Sequence, residues 1–224
     1  MIAVVTGAGR GIGRAVSIEL ARRGVDVALL SLHAPVEAAD EVRKTGRRAL
    51  PIECDVADAN AVANAAKKVL GELGPPDVIV ANAGIVRRAL VTEMDEADWD
   101  AVVDVNLKGA FLTARAFVPS LVSKKKGRFV AIGSISSTVG TARQSAYCAA
   151  KWGTVGFVKS LAEEMRDSGV QALCVLPGSV DTDMLKGSGF APRMTAEDVA
   201  KVVAFAALDA PDAMNGSAVE MFGA

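Results

Sequence analysis

Apolar and polar positions follow two rhythms along the whole chain. Short apolar or β-branched runs alternate with longer stretches whose apolar residues recur three or four apart. The first rhythm is that of a buried strand and the second that of an amphipathic helix. The pattern predicts strands at Ile2–Val5, Val25–Leu30, Ala49–Glu53, Val78–Ala81, Arg128–Ile132, Val170–Leu176 and Ala218–Phe222. Between them it predicts helices over Gly11–Arg23, Val36–Lys44, Ala57–Leu73, Ser145–Arg166 and Ala196–Leu208, with one or two more inside Asp95–Ser123. Gly24 and Gly74-Pro75-Pro76 supply the stops that such helices need. Near-continuous apolar strands separated by helices indicate a parallel sheet covered on both faces. The expected fold is therefore α/β: a doubly wound parallel sheet of about seven strands, of Rossmann type.

At 224 residues the chain has room for one large core rather than two, and it shows neither a repeat nor a linker. One domain spanning residues 1–224 is expected. With 51% hydrophobic and 23% charged residues the composition is that of an ordinary globular protein. A net charge of −1, with Lys and Arg scattered, offers no broad cationic field, which argues against nucleic-acid or membrane-surface partners. The run Lys124-Lys125-Lys126 reads as a solvated helix end. No apolar run approaches the roughly 20 residues that span a bilayer. The N-terminus enters a strand directly, without a basic leader, so a cytoplasmic location is expected.

Three cysteines, Cys54, Cys148 and Cys174, occur without a Cys-x-x-Cys pair, pointing to a reduced protein without disulfides or a zinc cluster. His33 is the only histidine, so multi-His metal sites are excluded and no metal is expected.

The first strand runs into Thr6-Gly7-Ala8-Gly9-Arg10-Gly11-Ile12-Gly13 and then a helix. Glycines let the chain turn sharply and let a phosphate approach the backbone, while the helix start presents unpaired N–H groups to it. This is the turn where a dinucleotide's pyrophosphate lies in a doubly wound sheet. The spacing is T-G-x-x-x-G-x-G, through Gly7, Gly11 and Gly13; Ile12 stands where G-x-G-x-x-G would need its last glycine. Without a Gly-Lys-Ser/Thr ending, a P-loop nucleotidase is disfavoured.

Tyr147 and Lys151 lie four apart in the long predicted helix, so phenol and ammonium share a face. A free phenol, with a pKa near 10, is a poor acid or base at neutral pH, and a neighbouring ammonium favours its ionised form. Ser134, thirteen residues before the chain's only tyrosine, ends the fifth predicted strand, where its hydroxyl can bond a substrate oxygen.

Together these motifs resemble the short-chain dehydrogenase/reductase family, from Val4 to the end of the chain, and most closely its 3-oxoacyl-(acyl-carrier-protein) reductase-like members. The resemblance covers Thr6–Gly13, the Tyr147–Lys151 motif, Asn82-Ala83-Gly84 after the fourth strand, Asn106, Ser134, Asp55-Val56 after the third strand, and Pro177-Gly178-Ser179-Val180-Asp181-Thr182 after the sixth. It implies an NAD(P)(H)-dependent oxidoreductase moving a hydride between nicotinamide and a carbonyl or alcohol carbon.

In that implied mechanism Tyr147 exchanges the proton, Ser134 polarises the carbonyl, Lys151 holds the nicotinamide ribose, and Asn106 anchors a water that resupplies the proton. Cofactor contacts are implied for Thr6, Gly7, Gly9, Arg10, Gly11, Ile12, Gly13, Asp55, Val56, Asn82, Ala83, Gly84, Tyr147, Lys151, Pro177, Gly178, Val180 and Thr182. Members selecting NAD(H) carry an acidic residue at the end of the second strand; here Ser31 stands there, and Asp26 lies at the opposite end. That favours NADP(H), with Arg10 pairing to a 2′-phosphate, helped by Ser31 and His33.

A short segment, 182–196, is expected to cover a small-molecule or acyl-thioester carbonyl substrate. The long helices carrying Phe111 and Phe157 suggest a homodimer or homotetramer, although the short C-terminus weakens contacts through the last strand. Two competing classes are a catalytically silent dinucleotide-binding sensor or scaffold and a methyltransferase with a glycine-rich first turn.

Overall fold

Each apolar run becomes a strand whose side chains alternate between two cores. The computed structural model describes residues 1–223. Strands β1 (Ile2–Thr6), β2 (Asp26–Ser31), β3 (Ala49–Glu53), β4 (Val78–Ala81), β5 (Gly127–Ile132), β6 (Val170–Pro177) and β7 (Ala218–Met221) form one sheet in the order β3-β2-β1-β4-β5-β6-β7. Every neighbouring pair is parallel. Ala3, Val5, Val27, Leu29, Val78, Val80, Val130 and Ile132 face one way, against α1 (Gly11–Arg22), α2 (Val36–Lys44) and α7 (Ala196–Leu208). Val4, Ala28, Leu30, Ile79, Phe129 and Ala131 face the other, against α3 (Ala59–Glu72), α5 (Gly109–Lys124) and α6 (Ser145–Glu164). The period of two is thus present inside runs that look uniformly apolar, because helices cover both faces.

The expected strands and helices are all present, with ends moved by one or two residues for local reasons. Helix α3 starts at Ala59 rather than Ala57 because the Asp58 carboxylate accepts from the Asn60 and Ala61 amides at 2.7 and 3.3 Å. The long predicted stretch resolves into α4 (Glu96–Val103), a π-helical turn over Asp104–Lys108, and α5. The basic run does end α5, with Lys125 in the left-handed conformation (φ 52°). Lys124 is more than solvated, however. Its ammonium donates to the Pro75 and Pro76 carbonyls and pairs with Asp77, tying the helix end to the turn before β4.

Two features position the site. The chain leaves β1 on one side for β2 and returns on its other side as β4, so the carboxyl ends of β1 and β4 frame a crevice. Asp26 lies far from that crevice, at the start of β2. Burial would raise its pKa, but bonds from Arg48 (2.8 Å) and the charge of Arg47 (2.6 Å) hold it below the usual carboxylate range. Among the described residues, no helix is long and apolar enough to cross a membrane.

Candidate active site

The crevice between β1 and β4 is closed by side chains rather than by the strand ladder. Thr6 ends β1, and its hydroxyl accepts from the Asn82 and Ala83 amides at 3.0 and 3.1 Å. The Asn82 side-chain amide donates back to the Thr6 and Gly7 carbonyls at 2.9 and 3.2 Å. These four bonds press the turn after β1 against the turn after β4. Gly7 adopts φ +63°, and a Cβ there would lie 2.8 Å from the Ala83 Cα, so glycine is required twice over. Gly13 sits so close to the Gly7 carbonyl that any side chain would overlap it.

Helix α1 begins at Gly11 with no side-chain cap among the described residues and no acidic residue in its first turn. Its first amides therefore remain available to an anion, backed by the helix dipole. A bare backbone cradle with uncapped amides fits a dinucleotide's pyrophosphate.

At the carboxyl end of β5, Ser134 starts a 3-10 turn over Ile135–Ser137. Its hydroxyl accepts from the Ser136 amide at 3.1 Å, and its own amide donates to the Ser137 hydroxyl at 3.3 Å. Ser137 in turn donates to the Lys151 carbonyl at 3.0 Å, fixing this turn to α6. The Ser134 hydroxyl neighbours the Tyr147 phenol closely enough to act on its ionisation. Lys151 is buried one helical turn on, 5.6 Å from the Tyr147 ring centre, and its ammonium donates to the Ile132 carbonyl at 2.7 Å.

Burial raises the Tyr147 pKa, against the Ser134 hydroxyl and the Arg88 charge, which lower it; the neighbouring Cys148 adds to the rise. A phenol tuned downward, expected from the sequence, is thus not what the protein alone produces, because desolvation outweighs its neighbours. Lys151 moves the opposite way, and burial brings it down to about 8.

Asn106 lies in the π-helical turn, where the regular helical bonding is interrupted. Its side-chain amide donates to the Ile85 and Val102 carbonyls, both at 2.8 Å, and its Oδ1 is buried without a hydrogen-bond partner. A Cβ on Gly84 would lie 2.6 Å from that Oδ1 and 3.6 Å from the Lys151 Nζ, so Gly84 keeps open the gap between them. The Thr154 hydroxyl lies 3.5 Å from the Asn106 backbone carbonyl.

The remaining expected contact residues lie at or just after the carboxyl ends of β1, β2, β3 and β6. Ser31 ends β2 with its hydroxyl 3.2 Å from where a Cβ on Gly9 would be; His33 is exposed just beyond. Asp55 is exposed and accepts from the Ala57 amide at 2.9 Å, and buried Val56 packs where Gly109 has no side chain. After β6, Gly178 donates to the Met221 carbonyl at 2.8 Å, and Val180 bridges Met194. Thr182 packs against Gly11, its methyl 3.3 Å from that residue's Cβ position. Arg10 is exposed and reaches Asp183 at 3.5 Å.

Sequence reasoning missed Ser137, Gln144 and Arg88. Gln144 is buried at the start of α6. Arg88 donates to the Met184 and Lys186 carbonyls, within the segment 182–196, at 2.8 and 3.3 Å. Ser137 belongs to a visible serine-rich turn, but nothing in the spacing separates Arg88 from its neighbour Arg87.

Residues 1–191 match the family model described as short chain dehydrogenase. The chain is 35% identical over 220 residues to a 3-oxoacyl-[acyl-carrier-protein] reductase of Synechocystis sp., covering 96% of this chain and 86% of that one. It is 33% identical to the Escherichia coli enzyme of the same name, covering 99% and 96%. Among solved structures, a short-chain type dehydrogenase/reductase from Mycobacterium marinum superposes with a TM-score of 0.94 at 28% identity, covering 99% and 94%. Carveol dehydrogenase from Mycobacterium avium, in complex with NAD, superposes at 0.92 with 25% identity, covering 99% and 95%.

Proposed function

The chain belongs to the short-chain dehydrogenase family and is an NAD(P)(H)-dependent oxidoreductase; we propose that it reduces the ketone of 3-oxoacyl thioesters with NADP(H), using Tyr147 as the proton donor. The observation that carries this reading is the convergence of the Ser134 turn on the buried Tyr147–Lys151 face of α6, fixed by the Ser137 hydroxyl bond to the Lys151 carbonyl and the Lys151 ammonium bond to Ile132.

A bound nicotinamide supplies the hydride to the ketone carbon. Tyr147 gives its proton to the ketone oxygen, and a phenol kept protonated by burial is in the right state to do so. Ser134 donates a second hydrogen bond to that oxygen and afterwards to the phenolate. Lys151 uses one of its three N–H donors on the Ile132 carbonyl, leaving two for the nicotinamide ribose hydroxyls. Asn106, beside Lys151 across the gap at Gly84, is the polar end of the route that returns a proton to Tyr147. Positioning and charge stabilisation carry the step.

The phosphate cradle is assigned to Thr6, Gly7, Gly9, Arg10, Gly11, Ile12 and Gly13, the adenosine end to Ser31, Asp55 and Val56, and the nicotinamide end to Asn82, Ala83, Gly84, Pro177, Gly178, Val180 and Thr182. NADP(H) is favoured because β2 ends in Ser31, without a carboxylate to repel a 2′-phosphate. The three free cysteines suit a reducing, cytoplasmic setting. Residues 182–196 form the cover within a single domain. A dimer or tetramer is supported by the exposed aromatics Phe111 and Trp152 on α5 and α6.

NADPH oxidation, followed against a panel of 3-oxoacyl thioesters and activated ketones, tests the reading. Turnover is expected, faster with NADPH than with NADH, and Ser31→Asp should shift that ratio toward NADH. Tight cofactor binding without turnover on any of the panel would instead support a silent sensor.

A further inference from the structure

The segment after β6 is pinned at its base and open at its tip. The Ser179 carbonyl accepts from the Arg193 and Met194 amides at 2.9 and 3.2 Å, and the Asp181 amide donates to the Met194 carbonyl at 2.9 Å. Val180 and Met194 form a parallel bridge in between. The outgoing and returning limbs are thus laced together at one point, and residues 182–192 loop out from it. Within the loop, Gly187 and Gly189 hold left-handed backbone (φ 71° and 80°) with nothing close to their Cβ positions, and Phe190 is exposed. Apart from the Arg88 bonds to Met184 and Lys186, the lacing at the base fixes where the loop stands.

The chain returns to this base after β7. Gly178 donates to the Met221 carbonyl at 2.8 Å, and the Phe222 Cα lies 3.9 Å from where a Gly178 Cβ would stand. Gly223 adopts φ +79°, and a Cβ on it would overlap the Arg193 carbonyl oxygen and lie 2.8 Å from the Met194 Cγ. A side chain is refused there twice, by the backbone conformation and by the contact. Glycine therefore lets the chain lie flat on the laced limb. At its other end the base borders the phosphate cradle, with the Thr182 methyl 3.3 Å from the Gly11 Cβ position and Asp183 3.5 Å from Arg10. An unbroken line of contacts runs from Gly223 through Arg193 and Met194 to Val180, Asp181 and Thr182, and ends at Gly11.

We propose that Gly223 is a positioning residue for the cofactor: by bearing on the laced base it fixes Thr182 against the cradle, and so sets the affinity for the nicotinamide half of the dinucleotide. The inference rests on the placing of Thr182 at the nicotinamide end. Gly223 acts through the backbone of residues 179–181 and 193–194.

Gly223→Ala is the test, with Gly46→Ala as its control, since Gly46 is equally left-handed (φ +81°) but has nothing within 4 Å of its Cβ position. Calorimetry gives dissociation constants for NADPH and for 2′,5′-ADP, which lacks the nicotinamide half. Hydrogen exchange follows the Asp181, Arg193 and Met194 amides. Gly223→Ala is expected to speed exchange at those amides and to weaken NADPH at least about tenfold, while 2′,5′-ADP stays within about twofold. Gly46→Ala should leave all of these unchanged. Should Gly223→Ala fail to fold, Met194→Ala, which withdraws the side chain beside Gly223 without adding an atom, is expected to change the same affinity ratio in the same direction, and no change would overturn the inference. Unchanged exchange, faster exchange with unchanged NADPH affinity, an equal loss of both affinities, or the same loss in Gly46→Ala would overturn it and leave the hydride chemistry standing. NADPH left unbound by the unaltered protein would overturn the cofactor reading as well.

Discussion

At the scale of single residues, two buried groups in contact are pushed in opposite directions by the same cause. Desolvation penalises charge, so the Tyr147 phenol holds its proton more firmly while the Lys151 ammonium releases its own more readily, at about 8. For Lys151 the sign follows directly. The charged form is present below pH 8 and is lost as pH rises through that value. If the ammonium holds the cofactor ribose, NADPH affinity in the unaltered protein should weaken above pH 8, and Lys151→Met should bind weakly without that dependence. Fluorescence titration across pH 6.5–9.5 checks this, and parallel profiles for the two proteins would remove Lys151 from the cofactor site. The Tyr147–Lys151 spacing and the Ser134 offset were visible in the sequence because they depend on helix period and strand end alone. The upward shift of Tyr147 was not, because burial is a property of everything packed around the phenol, including Ile85, Val86 and Val102 from distant segments. Arg88 escaped notice for the same reason. Its partners, Met184 and Lys186, lie nearly a hundred residues further along the chain.

At the scale of elements, the glycine turn and α1 act as one rigid piece with the β4 turn. Gly13 lets the first turn of α1 lie against the Gly7 carbonyl, and Asn82 bonds both β1 and its turn. Gly13→Ala forces a methyl into that contact and should destabilise the fold by about 1–3 kcal/mol, the usual range for overpacking. It should also abolish the rise in melting temperature that NADPH gives. Thermal unfolding with and without cofactor checks both, and an unchanged melting temperature with a normal ligand shift would mean that the close approach is not needed. Element positions were largely readable from apolar period and from Gly and Pro stops. Where ends moved, a capping side chain such as Asp58 decided it. The π-helical turn at Asn106 was not read from the pattern, which could not say whether Asp95–Ser123 held one helix or two.

At the scale of the whole molecule, the parallel order of the sheet followed from apolar runs separated by helices, whereas surface partners did not. Phe111 (43% exposed) on α5 meets Phe157 on α6 edge to face at 6.4 Å, and Trp152 (53% exposed) lies on the same helix as Phe157. Exposed aromatics on neighbouring helices suit a partner copy. The double variant Phe111→Glu, Trp152→Glu should therefore sediment at a lower mass than the unaltered protein while keeping its helix content. Equal masses would place any interface elsewhere.

The central claim is that one phenol passes the proton while the backbone cradle holds the cofactor. Tyr147→Phe, assayed for NADPH binding and for turnover on the best thioester of the panel, separates these two roles in one preparation. The account predicts NADPH affinity within about twofold of the unaltered protein and turnover reduced at least about a hundredfold, the scale of a positioned acid. Turnover close to that of the unaltered protein would contradict it.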